Sequence, residues 1–180
     1  MYRRRQGVEQ QIMNNIILCG FMGCGKTTVG KNLSKLANMK FVDMDNYIEE
    51  KANMTVSEIF DKFGESGFRD MEHQACVELS SSKDYVIAAG GGTLTFDRNV
   101  DVLSKTGTIV LIDASYETLC NRLKTDTKRP LLQCENRNEK IRELLDKRIP
   151  LYKKASTVTV NGNQTPKKVA EEILNKIKQH

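Results

Sequence analysis

The chain has 180 residues, 39% of them hydrophobic and 28% charged, and a net charge of +5. That length suits one domain with a single core, and no apolar run approaches the roughly 18 residues that a membrane span requires. Removing Arg3, Arg4 and Arg5 leaves a charge of +2, and no aromatics interleave with the basic residues, so nucleic acid is not an expected partner. The five cysteines are odd in number and form no C-x-x-C pair, and there are only two histidines. Neither a zinc site nor a disulfide framework is expected, and a reducing cytoplasm is the expected setting.

Residues 1–14 are expected to be a flexible tail, and 15–180 a single domain. Asn15 to Cys19 is apolar and β-branched and reads as a strand, ending at Gly20. Lys26 to Ala37 follows with Val29, Leu33 and Leu36 at helical spacing. Lys40 to Asp43 reads as a second strand, then Asn46–Met54, Thr55–Phe63 and Gly67–Ser80 as helices. Asp84 to Ala89 is a buried strand running into Gly90-Gly91-Gly92, and Gly107 to Ile112 is a fourth. Ser115 caps a helix to Leu123. Thr125 to Asn138 is polar and weakly periodic, which predicts a mobile loop. Glu139 to Lys147 returns to helix, Thr157 to Val160 is the last strand, and Thr165-Pro166 opens a final helix. Strands alternating with helices imply a parallel sheet with right-handed crossovers and helices on both faces.

Gly20-Phe21-Met22-Gly23-Cys24-Gly25-Lys26-Thr27 matches G-x-x-x-x-G-K-[ST], with a strand before it and an amphipathic helix after it. The glycines let main-chain N–H groups converge on phosphate oxygens, and the helix adds its positive end. Lys26 is placed to reach the β- and γ-phosphates, Thr27 to offer a hydroxyl to Mg²⁺, and Thr28 to bond the α-phosphate. The motif implies ATP or GTP with magnesium; it names no acceptor. Cys24 is either a reactive thiol or a small residue filling a slot where serine or alanine would serve.

Asp43 and Asp45 stand two apart at the carboxyl end of the second strand, so strand alternation places both on one face with Met44 turned away. One could hold magnesium through water and the other take a proton from an attacking hydroxyl. Alternatively, Asp45 caps the helix from Asn46. Arg69 and Glu72 are three apart on one helix. Arg69 could bind a carboxylate in bidentate fashion with Glu72 steadying it, or the two could form an ordinary surface pair. The triplet Gly90, Gly91 and Gly92 permits close backbone approach to a ligand. Arg129, in the expected loop, is a candidate to close over the phosphates. Arg148 is a second candidate anion ligand, or a cation complementing a helix C-terminus.

In order and spacing from about residue 14 onward, these motifs resemble the shikimate kinase family. The resemblance is carried by residues 20–30, Phe41-Val42-Asp43-Met44-Asp45, Gly67-Phe68-Arg69-Asp70-Met71-Glu72, Gly90-Gly91-Gly92, Arg129-Pro130-Leu131-Leu132 and Arg148-Ile149-Pro150-Leu151-Tyr152. It implies a three-layer α/β/α P-loop fold with five parallel strands, a helical substrate-binding segment at about 44–72 and a lid at about 124–138. It also implies transfer of a phosphoryl group from ATP to the 3-hydroxyl of shikimate. No long apolar stripe in the sequence suggests an obligate dimer, so a monomer is the default expectation. By position, Asp45 resembles the aspartate that grips the ring hydroxyls and acts as base. Arg69 and Arg148 resemble the carboxylate clamp, Gly91 with its neighbours Gly90 and Gly92 the backbone contact, and Arg129 the lid arginine. Gly23, Cys24, Gly25, Lys26, Thr27 and Thr28 fall in the ATP loop. Arg122 resembles a residue stacking on adenine, with Gln164 and Pro166 bordering that ring. Thr27 replaces a more usual serine. Ala88 and Ala89 stand where the family often has a hydroxyl, which would remove a contact to a magnesium-bound water.

Overall fold

The computed structural model describes residues 14–127 and 132–179. All of the expected tail except Asn14 therefore lies outside the described residues, as do Lys128, Arg129, Pro130 and Leu131. Five strands form one parallel sheet: β1 (Asn15–Cys19), β2 (Lys40–Asp43), β3 (Tyr85–Ala88), β4 (Gly107–Asp113) and β5 (Val158–Asn161). Among the described residues, seven α-helices connect or follow them: α1 (Lys26–Ala37), α2 (Met44–Ala52), α3 (Val56–Ser80), α4 (Asp97–Ser104), α5 (Tyr116–Leu123), α6 (Arg137–Ala155) and α7 (Pro166–Ile177). This is the α/β architecture that the alternating pattern predicted.

The strand order is β2-β3-β1-β4-β5. Every residue of β1 is buried, as expected for a central strand covered on both faces. Right-handed crossovers then put α1 on one face and α3 to α6 on the other. The helix pairs in contact follow that division: α1 with α7, α3 with α4, and α5 with α6. The chain leaves β1 toward one face and β3 toward the other. These strands are neighbours, paired from Ile16–Val86 to Leu18–Ala88, so their carboxyl ends open a crevice between diverging connections.

Local chemistry fixes several boundaries. Thr55 and Glu58 form a reciprocal capping box at the start of α3. The two helices expected from Thr55 to Ser80 run as one element interrupted at Gly64, whose φ of 69° breaks the helical path. One helix is additional to the expected elements, and two expectations are corrected. Residues 97–104, left unassigned from sequence, form α4; it buries Asn99 and Leu103, and Arg98 donates to the Arg69 carbonyl on α3. The sixth helix does not stop at Lys147. It continues through Pro150 to Ala155, because Tyr152 and Ala155 beyond the proline are buried. Asp45 lies in the first turn of α2, not on the strand: β2 ends at Asp43, whose own side chain caps α2 by accepting from the Asp45 and Asn46 amides.

Two polar anchors hold the frame beneath the crevice. Asn15, buried at the foot of β1, donates to the Ser82 carbonyl at 2.8 Å and accepts from the Tyr85 amide at 3.0 Å, tying β1 to the α3–β3 connection. Glu78 on α3 accepts from Tyr47 and Lys51 of α2 at 2.6 and 2.5 Å. The Lys51 hydrogen bond, followed by those of Tyr47 and Gln74, holds the Glu78 carboxyl down to about 2.

Asn15→Ala is expected to cost about 2 kcal/mol in urea unfolding, since it strands buried partners of a satisfied amide. A carboxyl with a lowered folded-state pKa stabilises above its unfolded value of about 4.3 and loses that contribution as pH falls. The melting-temperature gap between the parent and Glu78→Gln should therefore be full at neutral pH and close as pH falls toward about 2.

Candidate active site

The turn after β1 is built to present main chain. Gly25 sits at the N-cap of α1 with φ 101° and ψ 18°, a left-handed conformation that disfavours any side chain. The first turn of α1 carries no acidic residue, so its positive end is unopposed. The Lys26 ammonium folds over the loop and donates to the Gly20 and Phe21 carbonyls at 2.6 and 3.2 Å. Thr27 Oγ1 donates to Asp43 Oδ2 at 2.7 Å. Cys24 is only 2% exposed, which favours its reading as a small residue filling a slot. The Cys19 thiol, at the end of β1, is pushed up to about 12 by burial and is equally inert.

A cavity of about 430 Å³ opens above the crevice between β1 and β3. Its lining includes Gly23, Gly25, Lys26, Thr27 and Thr28 from the loop, Asp43 and Asp45 from the β2–α2 junction, and Gly90 and Gly91 after β3. Although Asp45 lies on a helix, the first turn of α2 carries it to the triplet: a Cβ on Gly90 would come 2.9 Å from Asp45 Oδ1. The end of β3 contributes only Ala88 and Ala89 to the lining.

Beyond the triplet, charge is concentrated and ordered. Glu72 on α3 is 1% exposed, and its Oε2 accepts from Arg69 Nη1 at 2.8 Å. The sequence left open a surface pair here; the burial of Glu72 excludes that alternative. Arg69 lies 5.3 Å from the ring centres of both Phe68 and Phe96, within cation–π range. A Cβ on Gly92 would come 2.7 Å from Arg69 Nη1, so only glycine lets the guanidinium lie this close to the main chain. Arg148 Nη1 would be 3.4 Å from a Cβ on Gly91. Tyr152, one turn further along α6, donates to the Gly91 carbonyl at 2.5 Å. Burial raises the Tyr152 phenol above its ordinary range, while Arg148 opposes the shift, so the hydroxyl stays a donor.

Arg122 on α5 spans two loops. Its guanidinium donates to the Gly23 and Cys24 carbonyls at 3.3 and 3.2 Å and to the Gly162 carbonyl at 3.0 Å. Gln164 lies in the turn after β5 and bonds Glu172 at 2.6 Å, and Pro166 begins α7. Arg122 thus ties the phosphate loop to the segment carrying Gln164 and Pro166. Arg129 lies outside the described residues. Flanking it, Arg137 bridges the Leu132 carbonyl at 3.1 Å and the Leu123 and Lys124 carbonyls at 2.8 and 2.9 Å.

Sequence reading missed Tyr152 as a support, although it stands one helical turn from Arg148. It also missed Thr93 and Arg137, for which no local pattern gives a signal. For magnesium, the Thr27 hydroxyl and Asp43 carboxylate are adjacent in a cavity shared with Lys26. That donor set suits an ion completed mainly by phosphate oxygens and water.

A parallel sheet with a glycine-rich loop between its central strand and first helix, a lysine and a threonine at the helix start, and a second charged pocket alongside defines a P-loop phosphotransferase. A gluconokinase from Sinorhizobium meliloti shares this fold, with a TM-score of 0.61 over 93% of each chain at 15% identity. A sequence model described as shikimate kinase matches residues 22–178. The shikimate kinase of Thermodesulfovibrio yellowstonii is 49% identical over 162 residues, covering 90% of this chain and 94% of the relative. The structure of the Acinetobacter baumannii shikimate kinase in complex with shikimate superposes with a TM-score of 0.88 at 41% identity, covering 93% of this chain and 94% of that one. The chain belongs to the shikimate kinase family.

Arg122→Ala should weaken adenine-nucleotide binding about five- to tenfold by calorimetry, since the loop loses charge-assisted bonds to its tether. Unchanged affinity would remove Arg122 from the nucleotide side of the site.

Proposed function

We propose that the protein transfers the γ-phosphoryl group of ATP to the 3-hydroxyl of shikimate, giving shikimate 3-phosphate and ADP on the route to chorismate and the aromatic amino acids. The observation that carries this reading is the pairing of two anion sites around one glycine triplet. The phosphate loop, with Gly23, Cys24, Gly25, Lys26, Thr27 and Thr28, faces it from β1. Arg69 and Arg148 stand beside Gly92 and Gly91. A cyclic acid bound by its carboxylate to two guanidinium groups would present its ring to Asp45 and to the phosphates beyond.

Catalysis rests on positioning and charge neutralisation. Lys26 exchanges its bonds to loop carbonyls for phosphate oxygens. Asp45, in a half-buried place against Gly90, orients the attacking hydroxyl and accepts its proton. Arg69, fixed by Glu72, and Arg148 hold the carboxylate, while Tyr152 holds the Gly91 peptide against the ring. Arg129 offsets charge on the transferring group. Arg122, Gln164 and Pro166 frame the adenine. Thr27, directly, and Asp43, through water, would hold Mg²⁺, which when bound neutralises phosphate charge. Ala88 and Ala89 line the cavity without a hydroxyl, so neither side chain would contact the water around that ion. We further assign the protein to the cytoplasm as a monomer. Among the described residues, no helix is long and apolar enough to cross a membrane.

ADP release measured with a panel of acceptors (shikimate, gluconate and nucleoside monophosphates) tests the assignment, and turnover should require shikimate. Nucleotide binding without ADP release on any acceptor would favour a regulatory nucleotide-binding module instead. Lys26→Ala should abolish turnover. Arg69→Ala should raise the KM for shikimate about a hundredfold, because it leaves a buried carboxylate unpaired as well as removing the clamp. The KM for ATP should barely move; equal changes in both would contradict the clamp.

A further inference from the structure

A chain of buried polar groups lies behind the clamp. Thr93 follows the glycine triplet and is fully buried; Asn99 on α4 is 1% exposed. Thr93 Oγ1 donates to Glu72 Oε1 at 2.5 Å. Asn99 Nδ2 donates to the Thr93 carbonyl at 2.9 Å, and Asn99 Oδ1 stands 2.8 Å from His73 Nδ1. Since that oxygen only accepts, His73 carries its proton on Nδ1. The contacts therefore run in one direction. His73 donates to Asn99, Asn99 to the Thr93 main chain, and the Thr93 hydroxyl to the carboxylate that receives Arg69.

Burying a hydroxyl and an amide is costly unless they are bonded. What the chain accomplishes is specific to Glu72. That carboxylate is sealed from solvent, with Arg69 on one oxygen and Thr93 on the other. Arg69 Nε is buried without a partner, so the direction of its fork is set through its terminal nitrogens, and Glu72 is the nearer of the two carboxylates they meet: Glu72 at 2.8 Å, Glu65 at 3.5 Å. Gly90 leaves the space that lets the pair lie against the triplet: a Cβ there would come 2.9 Å from Thr93 Oγ1 and 3.0 Å from Glu72 Oε1.

We propose that Thr93, held by Asn99 and His73, is a positioning residue that sets affinity for the carboxylate of the acceptor by aiming Arg69 through Glu72. The inference rests on the acceptor assigned above. Thr93→Val keeps the shape and deletes the donor. It should raise the KM for shikimate about tenfold, the scale of one hydrogen bond to a charged group, with kcat and the KM for ATP within about twofold. Thr93→Ser should restore the parent value. A role confined to joining α3 with α4 would lower the melting temperature without this split between the two substrates. Should valine prevent folding, Thr93→Ala is read in the same way. Shikimate-dependent turnover by the parent with an unchanged KM in the folded variant overturns the relay alone. So does a rise in both KM values that serine fails to reverse. Absence of shikimate-dependent turnover in the parent overturns the acceptor assignment and the relay together.

Discussion

Everything at the site depends on the divergence of the chain at the ends of two neighbouring strands. β1 and β3 are paired in parallel, and their connections depart to opposite faces of the sheet. The gap this leaves cannot be filled by either connection. Both turns that border it are glycine-rich, so main chain approaches from each side with little side chain between. Polar groups anchored on α1 and α2 can then meet within a single cavity, while Arg69 of α3 and Arg148 of α6 come up against the glycine triplet beside it.

The second constraint is electrostatic. A carboxylate removed from water loses solvation worth several kcal/mol, which only close, well-oriented donors offset. Glu72 meets that requirement with Arg69 and Thr93. The arrangement gives Arg69 one direction, whereas an exposed pair at the same spacing would leave the guanidinium free to sample many. The packing of Phe68 and Phe96 around Arg69 narrows its choice further. On the phosphate side, ordering comes from hydrogen bonds to main chain, through Lys26 and Arg122. The two halves thus use different devices: a buried ion pair for the acceptor side and tethered peptide groups for the nucleotide side.

The phosphate loop was legible because its chemistry is local. Glycines at fixed offsets, a lysine and a threonine need only the strand before and the helix after them. The strands were legible for a similar reason, since β-branched apolar runs buried on both faces leave few other readings. Less was visible where tertiary contacts override local preference. Residues 97–104 have few apolar positions and no side-chain cap, and α4 is held by its packing on α3 and β4. Pro150 signals a stop, yet the burial of Tyr152 carries α6 past it. Asp45 looked like a strand residue because nothing in its neighbours revealed that Asp43 would cap the helix, two residues earlier than expected.

The sequence by itself determined the fold class, the family and the identity of nearly every charged group in the candidate site, because each is encoded by residues close together in the chain. Only the tertiary structure decided that Glu72 is buried, that Thr93 and Tyr152 brace the triplet, and that Arg122 joins two loops. These are contacts between residues 21 to 99 positions apart, and burial is a property of the packed chain that no short stretch of sequence carries.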